Sequence, residues 1–187
     1  MHFSEEQLRD VIDGKIIGAF FPFQGGTYNQ VVYFYKDLIA ALERSRLLKV
    51  ITDYSSYGSG YASYVDVFCY KRDGSSTQQK KGYMDIEGIG IYLCKHAPVA
   101  IVGPNQKSIS ERGGSYGMLS VHQVGKMPPG NWDQEFERIR EVLTNYQIEI
   151  LTRRIVNQPL PFDAKIPTVL DQGDGYRVFD ALFYWED

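Results

Sequence analysis

Two cysteines and three histidines in 187 residues leave little material for a disulfide framework, a zinc cluster or a histidine-based catalytic centre. No C-x-x-C or H-x-x-x-H spacing occurs. Cys94 and His96, two apart on one strand face, are a ligand pair without a third member. No run of like charge is longer than two or three. The basic pairs Lys71-Arg72, Lys80-Lys81 and Arg153-Arg154 are scattered, whereas a phosphate backbone needs a continuous basic stripe, so nucleic acid is not an expected partner. No segment approaches the ~20 apolar residues of a membrane span. The start, M-H-F-S-E-E-Q-L-R-D, has neither the basic nor the apolar region of a secretory signal, and the chain is expected to be cytoplasmic.

Phosphate-binding and catalytic motifs are missing as well. Gly25-Gly26 precedes a helix without a following lysine, and Gly103 to Ser108 lacks the second glycine of a P-loop, which leaves Gly25 to Thr27 only the generic anion affinity of a helix start. Gly113-Gly114-Ser115-Tyr116-Gly117 matches the G-x-S-x-G of a nucleophile elbow. The elbow needs a strand before and a helix after, but Met118 to Val124 alternates like a strand. The downstream His122 also arrives with no acid between it and Ser115, against the chain order of that fold. A glycine turn is expected there. Asp171 to Gly175 lacks the ligand alternation and terminal glutamate of a calcium loop.

What remains is ordinary globular composition, 43% hydrophobic and 23% charged with a formal charge of −3, and enough length for one sizeable core. Three segments carry a capping residue followed three places on by glutamine: Ser4/Gln7, Thr27/Gln30 and Asn131/Gln134. The first predicts a short helix ending at Gly14. The second predicts the main core helix through Val31, Val32, Tyr35, Leu38, Ile39 and Leu42, and the third a helix through Trp132, Phe136, Ile139 and Leu143 with Glu135, Arg138 and Glu141 in water.

Between the last two the period falls to two, over 49–53, 63–71, 83–95, 98–102 and 118–124, with turns at Asp73-Gly74, Gly103-Pro104-Asn105 and Gly113-Gly114. In 63–71 both faces are partly apolar, so both are expected to be covered. A bulge near Glu87-Gly88 is expected to bring Ile89, Ile91 and Leu93 into phase with Met84 and Ile86. Residues 148–151 form a candidate strand, 158–174 an extended wrap, and 176–185 a final, central strand. If 61–71 and 82–94 pair as a hairpin, opposite residues sum to roughly 153 and Cys69 falls near Met84, leaving Cys94 off register and both thiols reduced. The fold class is therefore α+β. One domain over 1–187 is expected, a mainly antiparallel sheet of about five to seven strands with two main helices packed on it and a short N-terminal helix.

The most unusual stretch is Tyr54 to Tyr64, Y-S-S-Y-G-S-G-Y-A-S-Y: stiff amphipathic rings on a pliable backbone, a composition suited to recognition. Tyr57 and Tyr61, beside glycines, are the expected exposed rings. With Tyr54 and the acidic Asp53, Asp66, Asp85 and Glu87, they make the chain a candidate non-catalytic module that binds a protein partner, in concrete form a bacterial immunity-type inhibitor occluding a toxin domain, with no cofactor. The competing readings are a small enzyme or ligand-binding domain whose pocket joins His96 or His122 to Asp85 or Glu87, and an oligomer that buries its aromatics in a self-interface. The sequence sets no subunit number.

Overall fold

Strands that are apolar on both sides need cover on both sides, and the fold supplies it. The computed structural model describes residues 2–58, 60–110, 113–168 and 175–186. In chain order these form α1 (Glu5–Ile12), α2 (Tyr28–Glu43), β1 (Leu48–Asp53), β2 (Tyr61–Ala62), β3 (Tyr64–Lys71), β4 (Thr77–Lys80), β5 (Tyr83–Cys94), β6 (Val99–Ser110), β7 (Gly113–Tyr116), α3 (Asp133–Asn145), β8 (Glu149–Ile150), α4 (Arg153–Val156), α5 (Val178–Leu182) and β9 (Trp185–Glu186). Seven strands build one sheet in the order β1-β3-β5-β6-β7. In it β4 pairs with the first half of β5, and β8 lies parallel to β6. A small second sheet pairs β2 with β9. The architecture is α+β.

Alternation along the strands assigns the two faces. Val65, Val67, Ile89, Ile91, Leu93 and Val102 face α2 and α3, meeting Tyr35, Leu38, Leu42 and Ile139. Tyr64, Tyr92, Cys94 and Ile101 face the other way, where α1, α5 and the chain from Leu119 to Val124 cover them. Helix α1 begins with the reciprocal bonds expected of Ser4 and Gln7. At α2 the Gln30 side chain accepts the Thr27 N–H at 2.8 Å. The third capping pair does not form: Asn131 accepts the N–H of Asp133 at 3.0 Å one position outside the helix, so Gln134 is out of reach of a return bond. Glu135 turns out of water toward Lys71, 3.9 Å away.

Several expectations about the strands are corrected by pairing. Residues 77–80 form β4 instead of a loop, which shifts the β3/β5 register so that Cys69 opposes Ile89, not Met84. Cys69 and Cys94 are both buried free thiols. No bulge occurs at Glu87-Gly88, because β5 and β6 stay in register from Tyr83 to Leu93 and each phase of apolar residues has a covered face of its own. Gly103-Pro104-Asn105 is mid-strand, not a turn. The carbonyls of Val102 and Gln106 point away from β5, to Gly125 and Gly117, so the missing N–H of Pro104 falls on that same outward side. Residues 118–124 are irregular, with Leu119, Val121 and Val124 buried. The Gly113-Gly114 pair belongs to β7. The expected central strand at the end is mostly α5. Its apolar run is buried all round, and such a run fits a short buried helix as well as a strand. Asp171 to Asp174 of the calcium-like segment lie outside the described residues.

Candidate functional site

Four tyrosines between Asp53 and Val65 meet four different fates. The Asp53 carboxylate gathers the N–H groups of Ser55 and Tyr57 into a tight turn. Ser56 and Tyr57 then both adopt positive φ, 53° and 61°, a conformation that costs about 1–3 kcal/mol at each non-glycine residue. The Tyr57 ring points inward, edge-on to Trp185, and its hydroxyl meets Tyr64 and Asp66, each at 3.2 Å, contacts that offset the strain. Tyr61 also turns inward, its hydroxyl 2.6 Å from His96 Nε2. Tyr64 is buried and stacked on Tyr92 at 3.9 Å. Tyr54 alone stays outside, 40% exposed. Tyr57 and Tyr61 are thus not the exposed rings that their glycine neighbours suggested, because buried polar groups claim their hydroxyls.

Asp66 is the more instructive correction. It is 2% exposed and faces Lys107, itself 1% exposed, at 3.6 Å, so its carboxylate serves the interior and no outside surface. Register places Asp66 beside Tyr92 and Ile101, and Lys107 six residues farther along β6, roughly 20 Å in a flat sheet. The ion pair therefore requires the β4–β7 arm to curl over that face. Gly88 stands where β5 changes partner from β3 to β4, and an added Cβ there would sit 2.5 Å from the Cys69 carbonyl and 2.6 Å from the Phe68 ring, too close for any side chain. Burial raises the Asp66 pKa, opposed by the Lys107 charge and the Tyr57 hydroxyl. Burial likewise pushes Tyr92 up to about 12, leaving a neutral phenol that accepts the Leu119 N–H at 2.9 Å.

A surface that the sequence reading passed over lies on the outer side of α2. Tyr33 is 67% exposed and Tyr28 37%. Lys36 holds its ammonium 5.1 Å from the Tyr33 ring and 5.8 Å from Tyr54, joining helix and loop in one patch. Behind it Lys95, 3% exposed, lies between the rings of Tyr28 and Tyr61 at 5.5 and 5.2 Å and donates to the Ala62 carbonyl at 2.8 Å. Burial lowers its pKa to about 8, partly offset by Asp53. Burial also holds His96 below the usual imidazole range, and its Nε2 shares the 2.6 Å hydrogen bond with the Tyr61 hydroxyl. The legible signal was position: Tyr33 falls off the core stripe 31-35-38-42 of α2, where an aromatic has no packing reason to be.

Asp85 and Glu87 do share one place, a polar groove of about 610 Å³ along β4, β5 and β6. Asp85 is committed there, to Lys80 at 2.6 Å and to the Ser108 hydroxyl, and those hydrogen bonds lower its pKa. Among the described residues Glu87 has only a long contact, 3.4 Å, from Gln106. His96 lies beyond the far end of β5, roughly 30 Å along the strand, so a site joining it to Asp85 or Glu87 is not formed. His122 instead meets Arg153, 3.2 Å away. Cys94 and His96 make no ligand pair, since the thiol donates to the Leu182 carbonyl while the imidazole engages Tyr61. Ser115 lies in β7 with no helix directly after it, so the elbow is absent. Among the described residues no helix is long and apolar enough to cross a membrane. Comparison with protein families, with curated proteins and with solved structures gives no match.

Proposed function

We propose that the protein is a non-catalytic module that binds another protein through the Tyr28, Tyr33, Lys36 and Tyr54 surface. The carrying observation is that Tyr33 and Tyr54, joined through Lys36, and Tyr28 at the start of the same helix stay exposed while Tyr57, Tyr61 and Tyr64 are drawn inside. Tyrosine on a rigid scaffold offers large contact area at small entropic cost, and helix α2 supplies the rigidity. The formal charge of −3 and the scattered basic pairs favour a protein over a nucleic acid as the partner. In its most specific form the module is an immunity-type inhibitor that occludes a toxin domain in the cytoplasm. Half-buried Glu87, suited to a basic site, and two reduced thiols support that form.

The test is capture from a native lysate by the immobilised wild type and by the double variant Tyr33→Ser/Tyr54→Ser. Both side chains are surface groups, so the variant should melt within about 0.5 kcal/mol of wild type. A stoichiometric protein held by wild type and lost by the variant is the expected result. Equal capture by both removes this surface from the reading, and no specific protein with either removes the reading itself.

A further inference from the structure

The outward edge of β6 is interrupted. Gly125 donates to the Val102 carbonyl and Gly117 to that of Gln106, but between them, at Pro104, the covering chain swings away. A cleft of about 330 Å³ opens there, running from this edge to Glu87, with Met118, Pro128 and Pro129 among its walls. Its apolar side is fixed: the Trp132 indole N–H donates to the Pro129 carbonyl at 2.9 Å, tying the proline pair to the start of α3.

The polar side is rich in acceptors. Glu87 is half-buried, and among the described residues no ion pair involves it. Gln106 turns its amide nitrogen to Glu87, which leaves its carbonyl oxygen free to accept. The alternation that sends the Val102 and Gln106 carbonyls outward sends that of Pro104 the same way, and no described residue donates to it. An uncompensated carboxylate, a side-chain carbonyl and a main-chain carbonyl between proline rings and a thioether ask for a cation that is flat, apolar on its faces and donating at its edge. Guanidinium has that form, whereas an ammonium is a compact, strongly hydrated point charge.

We propose that this cleft receives an arginine side chain presented by the protein partner, with Glu87 as its charged acceptor and Pro104 and Gln106 completing the edge contacts. The inference rests on the protein-binding reading and gives the partner's surface a chemical character. It also separates the roles of the two acidic residues: Asp85 is neutralised within the fold by Lys80, and Glu87 is kept for the ligand.

The experiment titrates isotope-labelled full-length protein with N-acetyl-arginine amide, followed by amide chemical shifts, alongside the lysine and citrulline counterparts. Citrulline keeps the planar shape and loses the charge. The arginine probe should shift the amides of Glu87, Gln106, Met118 and Gln123 saturably in the millimolar range, and Glu87→Gln should weaken it by about tenfold or more, as loss of a charge-assisted bond does. Equal shifts with lysine or citrulline, shifts spread over all acidic surfaces, or none at all overturn the proposal. The citrulline comparison uses wild type, so the outcome stands even if Glu87→Gln misfolds. Failure here leaves the tyrosine surface intact, because that surface is tested with Tyr33 and Tyr54.

Discussion

Raising the pH from about 7 to about 9.5 should stabilise this protein through one residue, Lys95. Its ammonium sits between two tyrosine rings, 3% exposed, with one hydrogen bond to the Ala62 carbonyl, and burial brings its pKa from 10.5 to about 8. A base whose folded pKa is depressed binds fewer protons in the folded than in the unfolded chain between those two values, so stability rises with pH across that window. Below about pH 8 both states are protonated and the folded state carries the whole cost. The fall from 10.5 to about 8 corresponds to about 3 kcal/mol in all, of which about 2 kcal/mol is recovered by pH ~9.5. Urea unfolding of wild type and Lys95→Met at intervals over this range isolates the lysine, since every other titrating group is common to both. The wild-type curve should climb relative to the variant by about 2 kcal/mol. Parallel curves would show that the amine is solvated in the folded state and that the aromatic box does not enclose it.

The Asp66–Lys107 pair closes the curled arm onto the body, so Asp66→Asn and Lys107→Met should each lower the urea midpoint by an amount corresponding to about 3–5 kcal/mol. The double variant Asp66→Leu/Lys107→Met should lose less than the sum of the two, because no charge is left stranded. Additive losses would mean that the two groups do not interact. Gly88→Ala forces a methyl group against the Cys69 carbonyl, a backbone atom that cannot rotate aside, and should cost about 2 kcal/mol or more by thermal or urea unfolding; a neutral result would refute that close approach.

Much of the fold was written in local pattern. The capping pairs at Ser4 and Thr27, the stripe of α2 and the two-sided alternation of 63–71 each depend on neighbours within a turn or on a period, and each appears in the structure as read. Where local pattern is degenerate it misled. The apolar run 176–185 suits a buried helix or a buried strand, and only its packing against α1 and the sheet chose the helix. Pro104 looked like a turn because the sequence cannot show that β6 has an open edge at that point.

The candidate site was legible in kind and misassigned in residue. Composition marked Tyr54 to Tyr64 as a place where aromatic side chains do more than fill a core, but exposure is a property of the folded surface. Three of those four rings were claimed by partners distant in the chain: His96, Asp66 and Tyr92. The sequence by itself determined the α+β class, the two main helices, the covered sheet and the absence of a local catalytic motif, because these follow from spacing, capping and residue type. Tertiary structure alone decided that Asp66 lies inside against Lys107, that Lys95 is enclosed by tyrosines, and that Glu87 lines a cleft with Pro104 and Gln106. Each of those outcomes depends on which distant strand supplies the neighbour, and a one-dimensional pattern carries no term for that.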